Sequence, residues 1–494
     1  MEDNRKYDRI IKNVRAVRPR RIGAELVDLA VRAGRFAAVA PELPAGDARE
    51  VFDARGLLGF PGAVDAHMHI GIYRELSRDA RSESRAAASG GVTSALTYTR
   101  TGRYYLERGG SYRDFFQEVL RRSAGNYYVD YGYHIAPMSR DHIDEMPVLL
   151  EEFGVCTFKI FMFYGSYGLH GRSDQQNKFL MIGEDEKYDL AHFEFIMRAV
   201  ARLAAAHPES AEFISLSLHC ENPEIMDAYT RMAERAGKLR GLQAYSDARP
   251  PHSEGLAITI ASYLAHETGC RNINLLHLSS RKAVEAALAV RDAFPEVNFR
   301  REATIGHLLL DVDAPTGILA KVNPPVRPRA DREFLWQALL DGKIDHVITD
   351  HACCPRELKI DANNPEAIFA AKSGFGGTEY LLPGLFSEGK KRGLSYNRIA
   401  ELTSYNAARR FGLPGKGDIA PGYDADLALL DPDETWVVRA AESESEQGYT
   451  PMEGMELTGR VKSTFLRGEL VYDQGRIVGE PRGRYLKRPY GLPA

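Results

Sequence analysis

Two histidines, His67 and His69, close an apolar run that reads GFPGAVDAHMHI over residues 59–70. On an extended strand residues i and i+2 share a face, so the two imidazoles project side by side from the strand's end and can grip one metal ion. A chain with 14 histidines also places two of them two apart by chance, so the pair needs company. Company stands at or near the ends of later apolar runs: Lys159 in TFKIF, His219 in SLHCEN, His277 in LLHLSS and Asp350 in VITDH. Imidazole and carboxylate suit zinc or a similar first-row ion, and six such groups suffice for two ions in one site. The lysine is the odd member, because an ammonium has no lone pair and repels a cation. It joins the set once carbon dioxide has converted it to a carbamate, an anionic ligand with two oxygens. As an ordinary ammonium it would be costly to bury in so apolar a strand.

Groups so distant in sequence meet only if the fold gathers strand ends. Between about residues 57 and 415, short apolar runs alternate with helical stretches, the pattern of parallel βα units. The strand candidates are LLGFPGAVDAH, TSALTY, YVDYGYHIA, CTFKIFMF, FISLSLHC, INLLHLSS, NFRREAT and HVITDHA, with helical segments such as SRDARSESRAAASGG and DLAHFEFIMRAVARLAAAH between them. Eight parallel strands close an α/β barrel of the TIM type, (β/α)8, whose reactive groups sit at the C-terminal strand ends. The residues singled out above fall on five of those strands. Residues 1–56 and 416–494 read differently, as short strands broken by Gly and Asp. We expect a small antiparallel sheet at the start to pair with the far end, giving one β-sandwich-like domain and a C-terminal extension beside a barrel over 57–415.

Composition narrows the partners. The chain has 494 residues, 27% of them charged, and a net charge of −4, so no basic field attracts nucleic acid or an anionic membrane. No apolar stretch reaches the length of about 18 residues needed to span a bilayer, and the opening MEDNRKYDRIIKN is charged where a signal peptide needs an apolar core. A cytoplasmic location is expected. Five scattered cysteines, Cys156, Cys220, Cys270, Cys353 and Cys354, show no CxxC spacing and read as buried reduced thiols.

Taken together, the motifs resemble the amidohydrolase superfamily, and within it the cyclic amidohydrolases: hydantoinase, dihydropyrimidinase, allantoinase and dihydroorotase. GFPGAVDAHMH is similar to the family's first-strand motif and FKIFMFY to its carbamylated-lysine strand. HCEN, LLHLSS and ITDHA resemble its fifth, sixth and eighth strand motifs, and GDIAPGYDADLALLDP its return into the small sandwich. YTPMEGMELTGRVKSTFLRGELVYDQGRI is similar to its C-terminal extension. The resemblance implies two divalent metal ions, zinc by preference. His67, His69 and Asp350 would hold the more buried ion and His219 and His277 the other, with carboxylated Lys159 and a hydroxide between them. It implies Asp350 as general base and then general acid, and a homodimer or homotetramer acting on a small cyclic amide.

The branch is narrowed by single positions. Tyr164, five residues after Lys159, matches the tyrosine that holds substrate and oxyanion in the hydantoinase and dihydropyrimidinase pattern, which favours a cyclic ureide or imide. Dihydroorotases resemble one another in an arginine two residues after the second histidine. Here that place is Gly71 and the nearest arginine is Arg74, which disfavours dihydroorotate. KVNPPVR carries Asn323 where hydantoinases have serine, EATIGHLLL lacks a Cys-Pro, and KSGFGGTEYLL places Ser373 and Gly374 where a Pro-Asn-Gly backbone holds the ring. Tyr164, Asn323, Ser373 and Gly374 are therefore the candidate substrate contacts, and the alternatives are an allantoinase- or dihydroorotase-like ring hydrolase. A linear N-acyl amino acid deacylase is a further rival, although its cysteine ligand has no counterpart. So is a dihydropyrimidinase-like scaffold without catalysis, against which all six metal positions are filled.

Some residues near the motifs have a plainer reading. His134 and His307 read as pocket-wall or hydrogen-bonded histidines, His351 as a structural neighbour facing away from Asp350, and Cys353 and Cys354 as non-ligands. The stretch GSYGLHGRSDQQNKFLMIGEDEKYDL, residues 165–190, is long for a βα loop and sits where lids and specificity loops occur. Within it His170 and Arg172 could meet an anionic or bulky substituent, or simply be solvated.

Overall fold

Eight parallel strands form the centre of the molecule: Ala63–Met68, Val92–Thr99, Asp130–Ile135, Thr157–Phe161, Ser215–His219, Asn272–Leu275, Asn298–Thr304 and His346–Ile348. Each pairs with the next in chain order. The computed structural model describes residues 5–165, 167–168, 171–172 and 175–491, with side chains described outside 165–174. Helices cover the outer face, and the strands are buried on both faces, polar residues such as Ser94, Asp130 and Lys159 included. The barrel closes where Met68 bridges His351 in parallel and the His69 N–H donates to the His351 carbonyl at 2.7 Å. This is the TIM-type barrel that the run pattern predicts.

Helix starts fix the strand ends. Asn222 accepts from the Ile225 N–H at 2.9 Å and caps Pro223–Arg235, while Ser280 accepts from the Ala283 N–H at 3.2 Å and caps Arg281–Ala293. Each cap follows a motif histidine, His219 or His277, by only three residues. The turn from strand to helix is thereby too short to let either ring wander from the barrel mouth.

Two local expectations are corrected. The run LLGFPGAVDAH is not one strand: Leu58–Pro61 belongs to the terminal sheet and only Ala63–Met68 belongs to the barrel. Gly62 makes the break, since a Cβ there would lie 2.2 Å from the Thr93 hydroxyl. The terminal sheet is also mixed rather than antiparallel. Tyr7–Val17 pairs antiparallel with Ala24–Arg32 but parallel with Ala48–Asp53 and Leu58–Pro61. Residues 41–47 carry the chain back across instead of turning as a hairpin, which is what a parallel partner requires.

Both chain ends supply this nine-stranded sheet, for Leu58–Pro61 lies between Tyr7–Val17 and Leu427–Val437. It has an apolar core of its own, including Ile11, Val14, Leu29, Phe36, Leu427 and Phe465. A buried ionic cluster joins sheet to barrel: the Lys416 ammonium lies 2.9 Å from Asp130 and Asp424 and 2.7 Å from Asp426, and Arg467 pairs with Asp130 as well.

The barrel wall has a gap. Its third and fourth strands share only the pair Ile135 with Phe158, and the space on the N-terminal side of that pair is filled from the end of the described chain. The Tyr131 N–H donates to the Arg484 carbonyl at 3.0 Å, Leu486 N–H to Tyr131 at 2.8 Å, and Arg488 N–H to Gly154 at 3.0 Å. The buried Arg488 guanidinium donates to the carbonyls of Tyr133 and Phe411. Among the described residues no helix is long and apolar enough to cross a membrane.

This wedge predicts a stability effect far from the barrel mouth. Arg488→Met leaves at least two buried carbonyls without a donor and is expected to cost about 2–4 kcal/mol. Thermal and denaturant unfolding midpoints that match the parent would show that the wedge does not hold the wall.

Candidate active site at the barrel mouth

A cavity opens at the C-terminal ends of the strands. Its lining includes His69, Lys159, His219, His277 and Asp350, together with all four expected substrate contacts, Tyr164, Asn323, Ser373 and Gly374. His67 is fully buried just behind them. The sixfold set read from the sequence is therefore brought to one place.

The first and last strands meet here. Asp350 Oδ1 lies 3.2 Å from His67 Nε2 and 3.1 Å from His69 Nε2. Ring nitrogens of His67 and His277 and an oxygen of Asp350 all lie within 4.8 Å of one another. The His219 and His277 ring centroids are 4.4 Å apart. Lys159, in the middle of its strand with 1% of its surface exposed, places Nζ 3.3 Å from His67 Nε2 and 4.2 Å from the Tyr98 ring centroid.

Asp350 is held from both sides. Thr349 donates to Asp65 through its hydroxyl at 2.5 Å and its N–H at 3.2 Å, and His351 Nε2 lies 3.0 Å from Glu83 Oε2. Between those two anchors Asp350 takes φ +55°, and His277 takes φ +34°, both in the left-handed region that costs a non-glycine residue of order 1 kcal/mol or more. Such backbone persists only where its surroundings over-determine it, and here it aims side chains at one point.

The protonation states suit cation binding. Burial drives the pKa of His67 and His277 well below the ordinary histidine value, lowers that of His69, and pulls His219 down to about 4. All four rings are neutral at pH 7 and carry a free lone pair. Glu302, fully buried, accepts from His67 Nδ1 at 2.8 Å and from the His277 N–H at 3.0 Å. It thereby fixes the His67 tautomer so that the Nε2 lone pair faces the cluster. His69 Nδ1 is 2.7 Å from the Tyr105 hydroxyl, and His219 Nε2 is 2.7 Å from Glu221, itself bound by Arg249. Both ring nitrogens of His277 are buried without any hydrogen-bond partner. Orphaned polar atoms of that kind are costly, and an electron-pair acceptor such as a divalent cation is what would satisfy the one that carries the lone pair. The donor set fits such an ion. Burial also brings the Lys159 ammonium down to about 8, leaving some free amine at neutral pH.

Among the substrate candidates, the Asn323 amide oxygen accepts from the Tyr245 hydroxyl at 2.5 Å. Tyr73 donates to the Ser373 carbonyl at 2.6 Å. Gly374 has φ +91°, and an added Cβ would sit 2.9 Å from the Ala352 methyl, so this wall segment needs glycine. Lys359, buried, donates at 2.7 Å to the carbonyls of Gly374 and Lys321 and pins the segment from behind.

Three further histidines have polar partners of their own. His134 contacts the Ala66 carbonyl at 3.2 Å, and His307 the Thr304 hydroxyl at 2.7 Å and the Pro324 carbonyl at 3.1 Å. His351 faces Glu83, and Cys353 and Cys354 are buried outside the cavity lining. His170 lies outside the described residues, as does the side chain of Arg172. The sequence reading missed Glu302, Tyr105, Arg100 and the latch from Asp65 to Thr349. For Glu302 one signal was available, an acidic residue in the strand NFRREAT.

Known proteins carry the same pattern. A model of the amidohydrolase family matches residues 280–471. An allantoinase of Rubrobacter xylanophilus is 35% identical over 491 residues, covering 97% of this chain and 98% of its own length, and an allantoinase of Escherichia coli is 32% identical over 489 residues with the same coverage. Among solved structures, the dihydropyrimidinase from Brevibacillus agri superimposes with a TM-score of 0.83 at 26% identity, over 98% of this chain and all of that one. The L-hydantoinase from Arthrobacter aurescens does so with a TM-score of 0.82 at 27% identity, over 96% and 98%.

The carboxylate behind the histidines yields a test. Glu302→Gln removes the charge that orders His67 and the His277 backbone, and zinc affinity is expected to fall about 10- to 100-fold. Competition against a chromophoric chelator measures this, and undiminished affinity would remove Glu302 from the site.

Proposed function

The chain belongs to the amidohydrolase superfamily, in its cyclic amidohydrolase branch, and from that premise we propose a binuclear metal hydrolase that opens a hydantoin-type ring. That it is a hydrolase of cyclic amides follows from the family; the metal centre and the ring are our reading. The observation that carries it is His277, whose two buried ring nitrogens lack partners beside the lone pair of His67 and the carboxylate of Asp350. In this reading His67, His69 and Asp350 would hold one ion, His219 and His277 would hold the other, and Lys159 would serve both. It would do so as a carbamate: its free amine adds to carbon dioxide, a C–N bond forms as one C–O π bond opens, and a single proton leaves the nitrogen for solvent.

When bound, the two ions polarise the ring carbonyl as Lewis acids and make hydroxide available at neutral pH. The protein's own groups do the rest. Asp350 takes the proton of the attacking water at a carboxylate oxygen and delivers it to the ring nitrogen as the amide bond breaks, because an amide nitrogen leaves poorly without a proton. Tyr164 stays protonated, since burial raises its pKa, and its hydroxyl is a donor for the oxyanion that develops on the carbonyl. Asn323 and the backbone of Ser373 and Gly374 form the wall against which the planar ring rests.

A five-membered ring is favoured because the relatives named allantoinase and the neighbours named hydantoinase share the hydantoin ring in their names' substrates. The likeness to a dihydropyrimidinase supports a six-membered ring as a second reading.

Metal-analysed protein should open hydantoin, substituted hydantoins or allantoin in preference to dihydrouracil. With two ions bound, silence on every ring compound overturns the proposal. Asp350→Asn is expected to lower kcat by about 100- to 10,000-fold while losing less metal, whereas Lys159→Ala loses metal and turnover together. Full activity in either variant removes that residue from its role.

A further inference from the structure

The cavity holds a cation that ring opening does not use. Arg100 follows the second barrel strand, is 1% exposed, and lines the same cavity as His69 and Lys159. Its Nη1 donates to the carbonyls of Thr101 at 2.8 Å and Arg103 at 3.1 Å, which fixes the guanidinium plane. Its Nη2 is buried and has no hydrogen-bond partner. Around it stand three aromatic rings, with centroids at 4.9 Å for Phe179, 5.3 Å for Tyr164 and 5.8 Å for Tyr105. Tyr105 in turn touches His69, so the guanidinium stands one side chain away from the metal-type cluster.

A guanidinium does not lose its proton, so its charge stays in this dry place and calls for a counter-anion. Among the described residues no carboxylate pairs with it. Asp350 is the single carboxylate among the described lining residues, and it faces His67 and His69. Neighbouring cations are accounted for: Arg249 is paired with Glu221, Arg74 with Glu446, and Lys321 and Lys359 donate to backbone carbonyls. Of these cations Arg100 alone has neither a carboxylate nor a carbonyl for one of its amino groups, its polar side-chain neighbour being Tyr164.

We propose that Arg100 is a specificity-determining residue that receives a carboxylate carried on the substrate's ring, so that the enzyme opens anionic cyclic ureides faster than their neutral analogues. The inference rests on the ring-opening reading and deepens it. The shape agrees with the charge: the Nη2 amino group, walled by Tyr105, Tyr164 and Phe179, suits a carboxylate on a short arm better than a bulky apolar substituent. The guanidinium enters from the end of the second strand and not from position 71, two residues after the second histidine, which is glycine.

Two near-isosteric probes isolate the charge: hydantoin-5-acetate and hydantoin-5-acetamide, assayed with the metal-loaded protein. We expect kcat/KM to favour the acetate by about 100-fold, the size of effect typical of a buried charge pair. In Arg100→Gln the ratio of acetate to acetamide should fall to near one, chiefly through KM, and Arg100→Lys should restore part of it. A parent ratio near one, or a ratio unchanged in Arg100→Gln, overturns the proposal. If neither ring is opened, the ring-opening reading fails, and calorimetry of hydantoin-5-acetate against chelator-treated protein decides the matter independently. Binding that exceeds that of the acetamide and is lost in Arg100→Gln upholds the anion site; equal or absent binding overturns it. Far-UV circular dichroism of both variants separates loss of the site from loss of the fold.

Discussion

The structure depends on the seam between the eighth barrel strand and the first. The parallel bridge between Met68 and His351 and the backbone hydrogen bond from His69 to His351 close the barrel there, and the same residues flank the reactive ones. Asp65 holds Thr349, Glu83 holds His351, and Asp350 is clamped between them in a conformation that the chain would not choose alone. Closure and site assembly are thus one event. A barrel left open at this seam would separate His67 and His69 from Asp350 and would lose both its wall and its chemistry.

Around that seam the molecule concentrates buried polarity that apolar packing alone cannot tolerate. Glu302, His67 and Lys159 form a chain of groups in contact, with Tyr98 and Phe161 pressed on the lysine. A charge in such a place needs an opposite charge or a ligand. The protein satisfies this rule internally at Lys416, which lies among three aspartates. At the barrel mouth the ring nitrogens of His277 and the Nη2 of Arg100 have no such partner.

Much of this was legible in the sequence, for a definite reason. Strand-end residues stand beside the apolar runs that announce their strands, so His67, His69, His219, His277 and Asp350 could be placed together before any coordinates. The four wall positions Tyr164, Asn323, Ser373 and Gly374 came from the resemblance to the cyclic amidohydrolase pattern, and all line the cavity. What stayed hidden has no local signature. Arg100 sits in TYTRTGRYY among polar residues that read as a loop, and its lack of a partner is a property of three dimensions. Glu302 serves a histidine 235 positions away. The split of LLGFPGAVDAH between two sheets was invisible because both halves are equally apolar; only the crowding at Gly62 separates them.

The wedge at residues 484–488 bears on the order in which the molecule can be made. All eight barrel strands have left the ribosome long before Arg488 does, yet the wall between the third and fourth strands is incomplete without it. Leu486 packs with Phe411 and Leu413 in the cluster beneath the site, so the barrel floor waits as well. Domains generally fold as units during synthesis. Here the nascent barrel must persist with an open side until the last strands of the terminal sheet have formed and brought the wedge back. A finished site is then itself a report that the entire polypeptide has been threaded into place.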